Sequence, residues 1–306
     1  MSSRNDPTEP SRNDLVLVTG ATGKQGGATA RRLLAAGRAV RALVRDPESP
    51  AAQELAAAGA QLAVGDFDTP ESLAPALSGV GAAFLVPPAT FGPNGWDTEL
   101  EVERGARFIA AARAAGVEFI VFTTVASYTE DGKWGAQGKR RVEEVLQSSG
   151  LHWTILRPAR FMENYFMQGF PVDGINDGVH KHLFPADRPV QSIALDDIAV
   201  FAQLAFEDPA RFHGQVLELA GDDPTMPAAA AAITAATGHA VRYLEGTEAE
   251  AEAMGPEVGA VWRLSRQGQG WHADIPALRE IHPGLRTFDM WLAETGAARL
   301  KSLLDG

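Results

Sequence analysis

Short apolar runs alternate with Ala-rich segments through the first half of the chain. An apolar run of four to eight residues predicts a buried strand, and a longer Ala/Leu-rich segment predicts a helix. The predicted strands are LVLVT (15–19), AVRALV (39–44), AQLAVGD (60–66), AAFLVPP (82–88), EFIVFTT (118–124) and HWTILRP (152–158). The predicted helices lie before Gly37, around 48–59, and over 71–77, 98–116 and 139–150. This alternation indicates an α/β fold with a Rossmann-like, doubly wound parallel sheet.

The alternating pattern ends after Arg157. Residues 159–190 are irregular, 190–208 predict a short strand and a helix capped by Asp196 or Asp197, and 214–221 predict a strand that returns to the main sheet. The remainder predicts a small α/β lobe, with helices over 227–238 and 287–304 and a strand over 240–245. We expect a disordered segment at 1–13, an NAD(P)-binding domain at 14–158 plus 190–221, and a substrate or partner lobe at 159–189 plus 222–306.

Composition narrows the function classes. The 306 residues carry a net charge of −12, which disfavours direct binding to nucleic acid phosphates. The absence of cysteine excludes disulfides and thiolate chemistry, and no motif for a metal site is present. No apolar run is long enough to cross a membrane, and the polar N-terminus does not resemble a secretory signal. We expect a cytoplasmic protein without membrane contact, whose oligomeric state the sequence leaves open.

The first strand leads directly into VTGATGKQGG (18–27), in which Gly20, Gly23 and Gly26 have the spacing GxxGxxG. Glycines between a strand and a helix allow a tight turn, a close approach of backbone to a pyrophosphate, and close helix packing. The N–H groups that begin the helix then face the anion. The alternative is an ordinary Gly-rich turn. We favour a dinucleotide site.

The residue after the second strand distinguishes the two nicotinamide dinucleotides. NAD sites place a carboxylate there for the ribose 2′-hydroxyl, whereas NADP sites place an arginine near the 2′-phosphate. This chain has Arg45, and Lys24 lies at the opening of the helix. NADP is therefore favoured and NAD remains possible, because the adjacent Asp46 would repel a 2′-phosphate if it turned inward. The alternative for Arg45 is a solvated loop cation.

The motifs together resemble those of the NmrA-like family of atypical short-chain dehydrogenases. The stretches that carry the resemblance are TGATGKQGG, LVRDPES, GDFDTPESL, FLVPP, RFIAAARAAGVEFIVFTT, GKRRVEE, LRPARFMENYF, LDDIA and TFDMWLAETG, which span about residues 14 to 298. The resemblance implies a cofactor site formed by Gly20, Thr22, Gly23, Lys24, Gln25, Gly26, Arg45, Asp66, Phe67, Val86, Pro87, Lys139, Pro158 and Phe161. Two of these have a plain structural alternative, since Asp66 can cap a turn and Phe161 can belong to the core.

The Tyr-x-x-x-Lys pair of active short-chain dehydrogenases is absent. Lys139 occupies the position of the family's lysine, but Gly135 stands where the tyrosine would be. The candidate catalytic residues are Lys139 and Thr124, with Thr124 or Ser127 in place of the usual serine. Lys139 can equally be a surface lysine, or bind the ribose without taking part in chemistry.

The resemblance implies two functions. One is NADPH-dependent reduction of a quinone-like or other conjugated small molecule, for which a proton can come from water. The other is a non-catalytic redox sensor that binds NADP(H) and a regulatory protein. The candidate substrate residues are Tyr128, Trp134 and Asn164. His180 and His182 are interpreted as solvated loop residues that point in opposite directions and form no metal pair, with a proton-donor role as the alternative.

Overall fold

A computed structural model describes residues 14–88, 91–92, 95–129, 136–169 and 172–305, with backbone alone at 91–92 and 95–96. The expected disordered segment at 1–13 lies outside the described residues, as does Trp134.

The strands alternate with helices in the order that the apolar runs predict. The strands are β1 Val16–Val18, β2 Val40–Val44, β3 Gln61–Val64, β4 Ala82–Leu85, β5 Phe91–Gly92, β6 Gly95–Trp96, β7 Phe119–Thr123, β8 His152–Pro158, β9 Arg160–Phe161, β10 Val179–His182, β11 Ser192–Ile193, β12 Gln215–Leu219 and β13 Arg242–Glu245. The α-helices are α1 Lys24–Ala35, α2 Pro50–Ala57, α3 Leu73–Leu77, α4 Thr98–Ala115, α5 Gln137–Gln147, α6 Leu195–Glu207, α7 Pro209–Phe212, α8 Met226–Thr237, α9 Glu248–Ala253, α10 Pro256–Arg266, α11 Ile275–Ile281, α12 Phe288–Trp291 and α13 Ala297–Leu304. Single turns of 3₁₀-helix cover Pro70–Ser72 and Met162–Phe166, and a π-helical turn covers Leu292–Gly296.

Seven strands form the central sheet in the order β12-β8-β7-β4-β1-β2-β3. The pairings of β1 with β2 and β4, of β2 with β3, and of β7 with β4 and β8 are all parallel. Every residue of β1, β4 and β7 is buried, as expected for central strands covered on both faces. The predicted Rossmann-like α/β fold is confirmed, and so is the return of 215–219 to the main sheet.

The chain divides into two compact units. The first contains the described residues within Met1–Thr124, Gly138–Leu156 and Ala199–Leu217, and the second those within Val125–Gln137, Arg157–Ile198 and Glu218–Gly306. The sequence placed 14–158 and 190–221 in the dinucleotide domain, but the described residues within 125–137, 157–158, 190–198 and 218–221 lie in the second unit.

The start of α6 differs from the prediction. The helix begins at Leu195, so neither Asp196 nor Asp197 stands before it. The Leu195 N–H instead donates to the Glu163 carboxylate, at 3.2 and 3.1 Å from its two oxygens. Asp197 is fully buried and accepts from Arg286 at 2.6 Å. The cap is therefore supplied by a residue distant in sequence, which local spacing does not reveal.

No helix in the described part of the chain combines the length and apolar character required to cross a membrane.

Candidate functional site

Thr19 is fully buried and anchors the turn after β1 by hydrogen bonds. Its Oγ1 accepts the Val86 N–H at 2.7 Å, and its own N–H donates to the Phe84 carbonyl at 3.0 Å. These bonds join the carboxyl end of β1 to that of β4, the edge of a parallel sheet at which α/β folds bind ligands.

Each glycine of the turn meets a different steric limit. Gly20 has a φ of +58°, in the left-handed region that favours glycine, and a Cβ there would lie 3.3 Å from Val86. A Cβ on Gly26 would lie 2.3 Å from the Gly20 carbonyl oxygen and 2.5 Å from that of Thr19, so no side chain fits. At Gly23 the corresponding distance to the Gly20 oxygen is 3.2 Å. The three glycines allow close backbone contacts within the turn, and they leave the surface of the turn without side chains at these positions.

The N-terminus of α1 is open to an anion. Gly23 occupies the N-cap position without a side-chain cap, and the first turn contains no acidic residue. Gly20, Thr22, Gly23 and Lys24 are all exposed. Unpaired N–H groups at a 12-residue helix, with the positive end of its dipole, favour a phosphate group. The residues present therefore fit the diphosphate of a dinucleotide.

Gln25 faces inward rather than toward solvent. The Thr123 hydroxyl donates to its Oε1 at 2.6 Å, which ties the first turn of α1 to the end of β7.

Arg45 is exposed directly after β2. The Asp46 carboxylate accepts the Glu48 N–H at 2.9 Å, and the Asp46 carbonyl accepts the Ser49 hydroxyl at 2.8 Å. The Asp46 side chain is thus engaged in its own turn, and its carboxylate keeps its negative charge one residue from Arg45. Hydrogen bonding from Arg104 lowers the pKa of nearby Asp68, with a smaller contribution from Arg45.

The next two strands bring Asp66, Phe67, Val86 and Pro87 to the same edge of the sheet. Asp66 accepts the Asp68 N–H at 2.9 Å, a contact within its own turn. Phe67 is buried and stacks on Phe108 with ring centroids 5.5 Å apart, so its side chain belongs to the core. Val86 is half-buried beside Gly20, and Pro87 is buried.

Lys139 and Thr124 each contact a buried carboxylate. The Lys139 ammonium forms an ion pair with Glu101 of α4, and a Cβ on Gly138 would lie 2.3 Å from the same carboxylate. The Thr124 hydroxyl donates to Glu143 of α5 at 2.9 Å. The first contact joins α5 to α4, and the second joins the end of β7 to α5, so the two candidate catalytic residues contact different carboxylates.

The second unit contains the other candidates. The Pro158 carbonyl accepts the Ala126 N–H at 2.9 Å, and Phe161 lies on β9, paired with Ile193 of β11. Asn164 is half-buried, and its carbonyl accepts the Gly174 N–H at 3.1 Å.

Tyr128 lines a cavity with the rings of Phe184 and Trp271. Burial raises the pKa of its phenol to about 12, against the smaller opposing effects of a hydrogen bond with Ser265 and the charges of Arg266 and Arg188. The phenol therefore stays protonated at neutral pH and is a hydrogen-bond donor rather than a base.

The interpretation of His180 and His182 as solvated loop residues is wrong. Both lie on β10 and are buried, on the same face, because residues two apart along a strand point the same way. Burial lowers the pKa of His180 to about 3, so this ring is neutral. No group of three or more metal-ligating side chains occurs among the described residues.

Beside these histidines lies an ion pair that the sequence analysis missed. Arg160 donates to the Asp173 carboxylate at 2.6 and 3.0 Å, and its guanidinium lies 4.4 Å from the centre of the Tyr165 ring. Burial acts to raise the pKa of Asp173, but Arg160 and His182 hold it well below its usual range. Arg160 stands within LRPARFMENYF, yet nothing in that segment identifies a partner 13 residues along the chain.

A sequence profile described as the NmrA-like family matches residues 12–260. This chain belongs to the NmrA-like family. It is 33% identical over 244 residues to the NAD(P)H azoreductase of Xenophilus azovorans, covering 78% of this chain and 79% of the relative. The NmrA-like resemblance stated from the motifs is thereby confirmed.

Solved structures of the NmrA-like fold agree with this assignment. An NADPH-dependent quinone oxidoreductase of Escherichia coli superposes with a TM-score of 0.69 and 26% identity, covering 91% of this chain and 98% of that one. NmrA, a negative transcriptional regulator in complex with NAD, superposes with a TM-score of 0.76 and 18% identity, covering 95% and 98%. At that identity the second likeness shows the fold alone.

Proposed function

We propose that this NmrA-like chain is an NADP(H)-dependent reductase of a quinone-like or other conjugated small molecule. The observation that carries the proposal is the open turn of Gly20, Gly23 and Gly26 at an uncapped helix N-terminus, with Arg45 exposed after the next strand. The azoreductase and quinone oxidoreductase relatives support it, since both are reductases that use NAD(P)H or NADPH.

Each part of the site has a separate task in this proposal. The N–H groups at the start of α1 bind the diphosphate, and Arg45 binds the 2′-phosphate through a bidentate contact that a lysine does not provide. Bound NADPH supplies a hydride. Reduction of a quinone then consumes that hydride and one proton, and yields NADP⁺ and a hydroquinone.

In this proposal water donates the proton, and the contacts of the candidate residues support that assignment. Lys139 is paired with Glu101, and the Thr124 hydroxyl donates to Glu143, so both already hold carboxylates of the protein. A quinone gains basicity as it accepts the hydride, and water is then a sufficient donor. Placement of the two reactants accounts for most of the rate enhancement in such a step.

The alternative is a non-catalytic sensor that binds NADP(H) and a regulatory protein. The absence of the Tyr-x-x-x-Lys pair favours it. Nucleotide binding and acceptor turnover, measured on one protein sample, distinguish the two functions.

The test is a fluorescence titration with NADPH and NADH, followed by an acceptor assay with naphthoquinones and azo compounds. We expect tighter binding of NADPH, and oxidation of NADPH that depends on the acceptor. Tight binding without turnover for any acceptor would support the sensor, and failure to bind either nucleotide would refute both functions.

A further inference from the structure

Three aromatic rings of the second unit form the wall of one cavity. Tyr128 stacks on Phe184 with ring centroids 6.0 Å apart, and Trp271 meets both rings edge-on, at 5.3 and 5.6 Å. We refer to Tyr128, Phe184 and Trp271 as the aromatic box. Rings at these angles present both a face and edges to a planar guest, which suits aromatic stacking.

The aromatic box is fixed from behind. The His182 ring lies nearly parallel to Phe184, with ring centroids 4.2 Å apart, and the Asp173 carboxylate lies 3.5 Å from the Nε2 atom of that imidazole. The Tyr243 hydroxyl donates to the Phe184 carbonyl at 2.5 Å. A wall held by packing and hydrogen bonds loses little conformational entropy when a ligand binds.

The cavity is small. It encloses about 210 Å³, below the range of about 300 to 1,000 Å³ usual for drug-sized ligands, which suits a ligand of one or two fused rings. Polar side chains share the lining with the aromatic box, among them Arg188, Gln191 and Asp223.

Arg188 is the feature that selects the ligand's charge. It is exposed and lines the cavity, and its charge acts on the Tyr128 phenol. Within the described residues its guanidinium makes one long contact, 3.5 Å to the Arg266 carbonyl, and has no carboxylate partner. Asp223 supplies a carboxylate to the same lining, and no ion pair joins it to Arg188 among the described residues. A guanidinium without a carboxylate partner, beside three rings, suits an aromatic anion.

We propose that this cavity binds a planar aromatic ring that carries one carboxylate or sulfonate group, with the ring against the aromatic box and the anion on Arg188. The inference rests on the proposed function, in which this ligand is the electron acceptor. It adds a preference that neither the glycine turn nor the relatives specify, namely an anionic over a neutral acceptor.

The test uses two ligands that cannot be reduced and differ in charge, naphthalene-2-sulfonate and naphthalene-2-sulfonamide. Isothermal titration calorimetry of the full chain, with and without NADP⁺, should show the sulfonate binding about tenfold more tightly. Arg188→Met should abolish this preference, whereas Arg188→Lys should retain part of it. Trp271→Leu should weaken the binding of both ligands to a similar extent. Equal affinities in the unmodified protein, or a preference that survives Arg188→Met, would overturn the proposal.

Arg242→Met is the matched control. Arg242 is exposed on β13 in the same unit and does not line the cavity. Removal of its charge should leave the tenfold preference intact. A loss equal to that of Arg188→Met would show that general charge, rather than a contact with Arg188, produced the preference, and would refute the site.

The nucleotide titration on the same samples separates this inference from the proposed function. If NADPH binds and acceptors are reduced with no preference for anions, the cavity assignment fails alone. If naphthalene-2-sulfonate binds with the Arg188 dependence while NADPH does not bind, the cavity stands as an aromatic-anion site and the reductase proposal fails.

Discussion

Gly26 and Gly23 lie three residues apart in one turn, and the structure gives them different constraints. A Cβ on Gly26 would overlap the Gly20 and Thr19 carbonyl oxygens, at 2.3 and 2.5 Å, and backbone cannot move aside easily. A Cβ on exposed Gly23 meets the Gly20 oxygen at 3.2 Å, a contact that a small shift relieves. We infer that the fold requires Gly26, and that the ligand which approaches the turn requires Gly23.

We therefore predict that Gly26→Ala and Gly23→Ala separate stability from binding. Gly26→Ala should lower the free energy of unfolding by about 2 kcal/mol or more, in the range of overpacked sites. Gly23→Ala should change stability by less than about 1 kcal/mol, yet weaken NADPH, because its methyl group would stand between the turn and the diphosphate. Urea denaturation and fluorescence titration measure the two quantities. Equal losses of stability in both variants would contradict this view.

Arg45 is the residue on which the NADP preference depends. We predict that Arg45→Ala weakens NADPH binding about tenfold, the effect of one charge-assisted contact, and leaves NADH binding unchanged. Arg113→Ala is the matched control, since Arg113 is an exposed arginine in the last turn of α4, in the same unit. An unchanged ratio of NADPH to NADH affinity in Arg45→Ala would show that the 2′-phosphate is bound elsewhere.

At the level of whole elements, apolar periodicity predicted the strands of the central sheet, because a strand buried on both faces must be apolar throughout. It did not predict β9 and β10, which have two and four residues and pair only within two-stranded sheets, whereas the short strand predicted at the start of 190–208 corresponds to β11. β9 has only two residues, and β10 has the sequence VHKH, in which polar side chains replace the apolar run that predicts a buried strand. The irregular stretch at 159–190 therefore concealed both histidines of β10.

The positions of the glycine turn and of Arg45 were predictable from sequence, because one lies before a helix and the other directly after a strand. The partners of Lys139, Thr124 and Glu163 were not. Each contact joins residues 19 to 38 positions apart, and only the folded chain determines which carboxylate meets which donor.

Because His180 is buried on β10, we expect the stability of the protein to decrease in acid. His180 is harder to protonate in the native state than in the unfolded chain, because burial and the charge of Arg160 lower its pKa from 6.5 to about 3. Unfolding is then favoured by proton uptake. The contribution of His180 to stability is complete above pH 6.5 and is lost as pH falls toward 3.

We predict that the free energy of unfolding falls between pH 6.5 and 4, with His180 contributing up to about 1.4 kcal/mol per pH unit. His180→Gln should remove this contribution while its amide keeps the donor to the Gly174 carbonyl, which now receives the Nδ1–H at 2.8 Å. The exposed His272 provides the control variant, His272→Gln, which should keep the wild-type slope. Urea denaturation at each pH measures the slope, and an unchanged slope in His180→Gln would assign the acid sensitivity to another group.

At the scale of the whole molecule, the two compact units divide the features that a reductase requires. The glycine turn, Arg45 and the sheet edge that includes Val86 belong to the first unit, and the aromatic box with Arg188 belongs to the second. If the first unit binds the cofactor and the second binds the acceptor, each ligand should stabilise the segments that contact it. A bound ligand suppresses local unfolding of its binding site.

Hydrogen exchange with each ligand alone therefore provides a test on the unmodified chain. NADP⁺ at about a hundred times its dissociation constant stabilises the native state by about 2.7 kcal/mol. It should slow exchange most at residues 19–28 and around Arg45. Naphthalene-2-sulfonate should instead slow exchange at 183–191 and 265–272, and Arg188→Met should abolish only this second pattern. Protection by NADP⁺ that leaves 19–28 unchanged would contradict the glycine turn as the diphosphate site, because the N–H groups that would bind the phosphates lie in that segment.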